Sequence, residues 1–165
     1  EDIIAWYNCD MKSEGDFSGK WVLRGKQARE VIQYVQEEYG RELEFLWQDE
    51  NAVWRNPTNR KWFGVILKVK GERLGLKTDE DVAALDLRFE KGMAREFVAA
   101  RGGSVGAGGM GRDSDGDGAE KGAGILLGYH MNKDNWITVV LDYGMATEEI
   151  LGLIDQSYRI VAEGR

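Results

Sequence analysis

The chain has 165 residues, one domain's length, and its 42% hydrophobic, 10% aromatic and 31% charged residues supply a packed core and exclude wholesale disorder. A net charge of −7 opposes sequence-independent nucleic-acid binding by the chain taken whole, and no apolar run approaches the roughly 18 residues that a membrane helix needs. One cysteine, Cys9, and one histidine, His130, exclude an internal disulfide and a Cys/His zinc cluster. With no basic-then-apolar opening of a secretory signal, the expectation is a cytoplasmic, monomeric protein without a cofactor or metal.

Residues 1–24 form an N-terminal extension. Ile3, Ile4, Trp6 and Tyr7 are apolar enough to pack as a short strand or helix, residues 10–19 read as a polar loop, and residues 20–23 lead into a helix. From 26 to 39, Ala28, Val31, Ile32, Val35 and Tyr39 recur at helical spacing, and Gly40 supplies the stop. Leu43, Phe45 and Trp47 then alternate roughly with polar residues, as in a first short strand. Residues 52–55 and 61–70 (KWFGVILKVK) read as two strands joined by the turn chemistry of Asn56, Pro57, Thr58 and Asn59. Leu74, Gly75 and Leu76 form a connector, 82–90 a strand and 91–100 a short helix. Residues 101–124 are Gly-, Asp- and Ser-rich and read as a loop inserted into a domain spanning 25–165. Order resumes with strands at 125–129 and 136–142 around a polar turn, 130–135. A final helix starts with Thr147 as cap and Glu148 and Glu149 in its first turn, its buried stripe formed by Ile150, Leu151, Ile154, Tyr158 and Val161. This order predicts an α+β fold, an antiparallel β-sheet with the N- and C-terminal helices packed on one face.

Charge is unevenly spread: residues 1–50 carry net −6, 51–100 net +3 and 101–165 net −4. Between Arg55 and Lys77 seven bases (Arg55, Arg60, Lys61, Lys68, Lys70, Arg73, Lys77) stand against one acid, Glu72, so the hairpin's loop and outer face carry a basic island. The GxGxxG match from Gly106 to Gly111 lacks the strand before it and the helix after it that pyrophosphate binding requires, and reads as chance in a glycine-rich loop. Asp113, Asp115, Asp117 and Gly118 copy the first half of a Ca²⁺-binding EF-hand loop, but Gly124 stands where the bidentate Glu belongs, so a solvated acidic loop is the plainer reading. His130 offers acid–base chemistry without a legible nucleophile beside it and reads as a hydrogen-bonded residue at a strand end. Trp62, Phe63 and Trp136 suit either a core or a base-stacking surface, and Trp62 directly follows Arg60 and Lys61.

The blocks RNPTNRKWF (55–63), LGL (74–76), YHMNK (129–133) and WI (136–137), with EEI (148–150) and SY (157–158), resemble the MmcQ/YjbR-like family over residues 26–162. That resemblance implies a frataxin-like (CyaY-like) arrangement and a DNA-binding role with a double-wing motif. Residues 1–24 precede the point where such a domain usually begins, and 101–124 enlarge a connection that is normally short. DNA is then the expected partner and no membrane is involved. Arg55, Arg60, Lys61 and Lys133 would contact phosphates. Asn59, Asn132 and His130 would reach hydroxyls, phosphates or base edges, beside Trp62. The same residues also suit plain structural roles in turns and strand ends. The alternative is a protein- or small-ligand-binding module using a cleft near Trp62, His130 and Trp136. No catalytic residue is expected.

Overall fold

The computed structural model describes residues 20–47, 50–103 and 124–165. The expectations for residues 1–19, the GxGxxG match and the three aspartates with Gly118 lie outside the described residues. A 3-10 turn, Trp21–Arg24, leads into helix α1, Lys26–Tyr39. Ala28, Val31, Ile32 and Val35 fall on one stripe of that helix, and all four are buried. Gly40 ends it with φ 65°, a left-handed cap whose N–H closes on the Gln36 carbonyl. At the other end the partner is distant in sequence: Asp142 Oδ1 accepts the Gln27 N–H at 3.1 Å, while Gln27 Oε1 accepts the Asp142 N–H at 2.6 Å. A carboxylate at an exposed helix N-terminus also suits the positive end of the helix dipole.

Strands β1 (Ala52–Arg55), β2 (Trp62–Lys70), β3 (Asp81–Arg88), β4 (Ile125–Leu127) and β5 (Trp136–Val140) form an antiparallel sheet in the order β1-β2-β3-β5-β4. Helix α2, Ala94–Ala100, follows β3, and helix α3, Thr147–Ala162, follows β5. The expected α+β fold, with its first and last helices on the sheet, is what the chain adopts.

Side chains alternate across a strand, so each strand contributes to two surfaces. Trp54, Ile66, Leu85, Leu87, Ile137 and Val139 join Val31, Ile32, Ile150 and Ile154 in the main core beneath α1 and α3. Gly64 is required there by close approach, because a Cβ would stand 2.5 Å from Trp54 Cε3. The ladder shifts register between Trp54 and Arg55, a bulge that lets Phe63 join the same core, stacked on Trp54 with ring centres 6.0 Å apart and edge-on to Tyr158 at 4.9 Å. The fully buried Ser157 of α3 bridges β2 and β3. Its hydroxyl donates to the Phe63 carbonyl at 2.6 Å and accepts the Arg88 N–H at 2.8 Å. On the opposite surface, Val69, Ala84 and Val140 pack in a smaller cluster with Leu74, Leu76, Tyr129 and Tyr143, Leu74 belonging to the 3-10 turn Gly71–Leu74.

Four local expectations are corrected. Ala146, not Thr147, is the N-cap of α3 and makes no side-chain cap. The Thr147 hydroxyl is instead spent between helices, donating to Glu30 Oε1 at 2.8 Å and accepting from Gln27 Nε2 at 3.2 Å. Leu43, Phe45 and Trp47 form no strand; a single bridge, Glu44 to Val53, marks that segment. β4 ends at Leu127: the Gly128 N–H still pairs in register with the Trp136 carbonyl, but the next N–H, of Tyr129, leaves the ladder for the Thr138 hydroxyl. α2 starts at Ala94, after main-chain turns in which the Gly92 N–H reaches Asp134 and the Met93 N–H reaches Glu90.

Candidate functional site

The turn joining β1 to β2 and the turn joining β4 to β5 leave the same end of the sheet. β2 opens at Trp62 and β5 at Trp136, and both strands run antiparallel to β3, which ends there at Arg88. Arg55 lies opposite Trp62 in the β1–β2 register, and Arg88 opposite Trp136 in the β3–β5 register. Each guanidinium lies over its indole, with the central carbon 5.9 Å from the Trp62 ring centre and 5.7 Å from that of Trp136. Because Trp54, Leu87 and Ile137 face the helices, the residues next to them in the strands, Arg55, Arg88 and Trp136, occupy the other surface. The result is an Arg–Trp row made of two pairs at one end of the sheet, Arg55 with Trp62 across β1 and β2 and Arg88 with Trp136 across β3 and β5, each side chain half-buried. Trp47, 42% exposed, meets Trp62 edge-on at 6.0 Å and lengthens the row.

The two arginines differ in how they are held. Arg55 is fixed by Glu44, with Nε 3.0 Å from Oε1, and by the Arg60 carbonyl at 3.2 Å. Arg88 has no carboxylate partner among the described residues. Burial pulls its guanidinium below its ordinary pKa, with the Arg165 charge adding to that effect. Nη2 donates to the main-chain oxygen of Arg165, while Nε is buried with no hydrogen-bond partner among the described residues. The sequence reading missed Arg88. The signal available was its place in the alternation Val82, Ala84, Asp86, Arg88, which sets charge on the surface away from the helices.

Within residues 56–61, Arg60 and Lys61 are exposed, and Arg60 adopts φ 66°. Asn59 is committed to the fold: its amide donates to the Val161 carbonyl at 2.9 Å and its oxygen accepts the Lys61 N–H at 3.0 Å. Asn56, 3% exposed, accepts the N–H groups of Thr58 and Asn59 at 2.8 and 3.2 Å, the turn bonding that its side chain favours.

Residues 128–135 bend back over the sheet. The Tyr129 N–H bonds to Thr138 Oγ1 at 2.8 Å, and the Thr138 hydroxyl donates to the buried carboxyl of Asp86. Burial pushes the Asp86 carboxyl up to about 8, against the opposing pull of the Thr138 bond and the Lys133 charge. Its second oxygen is buried with no hydrogen-bond partner among the described residues. Lys133 is held there by the Gly128 carbonyl at 2.8 Å, and Asn132 Oδ1 accepts the Asp134 N–H at 2.8 Å. His130 is exposed, with φ 64° and its ring 4.1 Å from that of Tyr129. It lines a groove with Leu67, Val69, Lys70 and Arg73 rather than with Trp62 or Trp136, so the cleft expected from those three aromatic residues divides into two places.

The basic island divides as well. Arg55, Arg60 and Lys61 stand where β2 begins. Lys68, Lys70, Arg73 and Lys77 stand at or beyond its other end, roughly 25 Å away at the usual rise of a strand. Lys68 and Lys70 share Asp81, at 3.9 and 3.7 Å.

No family model matches the chain. It is 29% identical over 133 residues to the uncharacterized protein YyaQ of Bacillus subtilis, a match that covers 79% of this chain and 94% of that one. A Pseudomonas syringae protein is similar in both its crystal structure (TM-score 0.61, 28% identity, 80% of this chain and 96% of that one) and its solution structure (TM-score 0.58, 28% identity, 80% and 90%). A Deinococcus radiodurans protein with a DUF419 domain shares the fold alone, with a TM-score of 0.52 at 20% identity over 82% of this chain and 78% of that one. The similar proteins are thus uncharacterised ones with the same α+β architecture.

Proposed function

We propose that this protein is a DNA-binding module that takes unpaired bases on the Arg–Trp row while Arg60 and Lys61 hold the neighbouring phosphates. The observation that carries the reading is the presence of two cation–aromatic pairs, Arg55 with Trp62 and Arg88 with Trp136, at the same end of the sheet. Indole faces and guanidinium planes both accept stacked bases, and stacking needs no sequence code. The resemblance to MmcQ/YjbR-like proteins supports the same class of partner. In this reading Asn59, Asn132 and Lys133 shape the two turns, and DNA contact falls to Arg55, Arg60, Lys61, Trp62, Arg88 and Trp136. The protein acts by binding, not by catalysis.

Fluorescence anisotropy with a labelled single strand and its duplex tests this. The single strand is expected to bind more tightly. Arg60→Glu with Lys61→Glu is expected to lower the salt slope by about 0.7 for each phosphate that the variant no longer holds. Trp62→Ala or Trp136→Ala is expected to weaken binding by about 1–3 kcal/mol, the usual worth of one stacked base. Equal affinity of the wild type and both tryptophan variants would remove the stacking platform from the reading. Absence of binding at about 0.1 mM protein in low salt would remove DNA altogether, since nonspecific binders bind more tightly than that.

A further inference from the structure

The groove at the far end of β2 is separate from the Arg–Trp row and has a different make-up. It encloses about 400 Å³, within the range of small-molecule sites. Leu67, Val69 and the Tyr129 ring give it apolar walls, Arg73 and His130 bring polar groups to it, and Lys70, which alternates with Leu67 and Val69 along β2, borders it from the strand's other face. Arg73 has no ion pair or hydrogen bond among the described residues, and the Lys70 side chain is 55% exposed with its contact to Asp81 stretched to 3.7 Å. Three cations, Lys68, Lys70 and Arg73, therefore line the groove with one carboxylate, Asp81, in a chain whose net charge is −7. His130 is set on the groove by a turn closed by the Met131 N–H on the Gly128 carbonyl, and it keeps a left-handed backbone that a non-glycine residue adopts only under constraint. The Tyr129–Thr138–Asp86 bonds anchor that turn from below, so the imidazole is presented from a supported base.

We propose that this groove binds a small phosphomonoester, or a dianion of the same shape, that carries a flat apolar body. The anionic head lies between Lys70 and Arg73, where charge-assisted bonds are strongest and a guanidinium fork matches phosphate oxygens. His130 donates to or accepts from the same head group, and the apolar body rests on Leu67, Val69 and Tyr129. This site does not depend on the DNA reading, and its test uses different residues and a different probe.

Phenyl phosphate is titrated into the full chain and followed by amide and side-chain NMR shifts, with inorganic phosphate and phenol as the two halves of the probe. Phenyl phosphate is expected to saturate signals of Lys70, Arg73, Tyr129 and His130, with inorganic phosphate at least about tenfold weaker and phenol weaker still. Arg73→Ala and Lys70→Ala are each expected to weaken phenyl phosphate by about tenfold, the usual effect of losing one hydrogen bond to a charged group. His130→Ala is expected to weaken it less, and Arg60→Glu with Lys61→Glu not at all. Unshifted melting curves for these exposed-site variants separate a binding defect from a folding defect. Equal affinities across the Lys70, Arg73 and wild-type proteins, or shifts that never saturate, would overturn the proposal. An unlabelled single strand that displaces phenyl phosphate would also overturn it, because the groove would then hold a nucleic-acid phosphate; no displacement supports it.

Discussion

The two surfaces of the sheet are cut from the same strands yet bury different chemistry. Beneath α1 and α3 lie Trp54, Phe63, Leu85, Ile137 and Val139, with Ser157 of α3 as a hydroxyl that both donates and accepts. Its orphan among the described residues of the sheet is the Trp54 indole N–H. The other surface holds a carboxyl and a guanidinium, Asp86 and Arg88, each with a buried atom that has no hydrogen-bond partner among the described residues. Buried ionisable groups are costly unless paired, so they persist where the surrounding structure enforces them. The contrast teaches where stability and chemistry reside: packing is concentrated under the helices, and adaptable charge on the face away from them.

The sharpest way to break this comparison is to empty one aromatic site on each surface. Trp54→Ala is expected to cost about 3–5 kcal/mol in urea denaturation, the range for removing a large buried aromatic side chain. Trp136 is half-buried, and Trp136→Ala is expected to cost clearly less. Equal losses would mean that the second surface is core like the first.

A smaller effect belongs to Ser157→Ala, which leaves the Phe63 carbonyl and the Arg88 N–H without their bridge. A loss of about 1–3 kcal/mol is expected for stranding buried polar groups. The same variant should speed hydrogen exchange at Arg88 more than at Leu85. If neither changes, the two strands close on each other directly and α3 is no wedge.

The mildest change per step is a pH slope. The Asp86 carboxyl is raised from 3.8 to about 8 in the fold, so the native state holds its proton where the unfolded chain has released it. Its contribution is therefore full below about pH 4 and falls away as pH rises towards 8, at up to about 1.4 kcal/mol per pH unit. Asp86→Asn is expected to flatten that part of the stability profile between pH 4 and 8 relative to wild type. Identical slopes in the two proteins would show that Asp86 is not the group responsible. Glu30, lowered chiefly by its bond to Lys26, acts with the opposite sign near its own low pKa and is common to both proteins.

Much of the fold was legible because its signals are local. The stripe from Ala28 to Val35 followed by Gly40, and the β-branched run of β2 after an Asn-Pro turn, need no distant partner to be recognised. Thr147 misled for a physical reason: a threonine at a helix start usually caps its own helix, yet here Gln27 and Glu30 of α1 compete for the hydroxyl. The candidate site was legible in part. Trp62, Arg60 and Lys61 stood out as a cluster in sequence, whereas Arg88 and Trp136 become neighbours only when β3 pairs with β5.

Residue order and local propensity determined by themselves the α+β class, the helices, the main hairpin and the uneven charge, because each depends on spacings of a few residues. Tertiary structure alone decided that seven nearby bases separate to opposite ends of one strand, that His130 parts from Trp62 and Trp136, and that Arg88 lies over Trp136 in its place. The reason is geometric. A strand carries neighbours in sequence more than about 3 Å apart per residue, while a sheet's register brings residues from distant segments within side-chain contact, so proximity on a β-surface is set by pairing rather than by order along the chain.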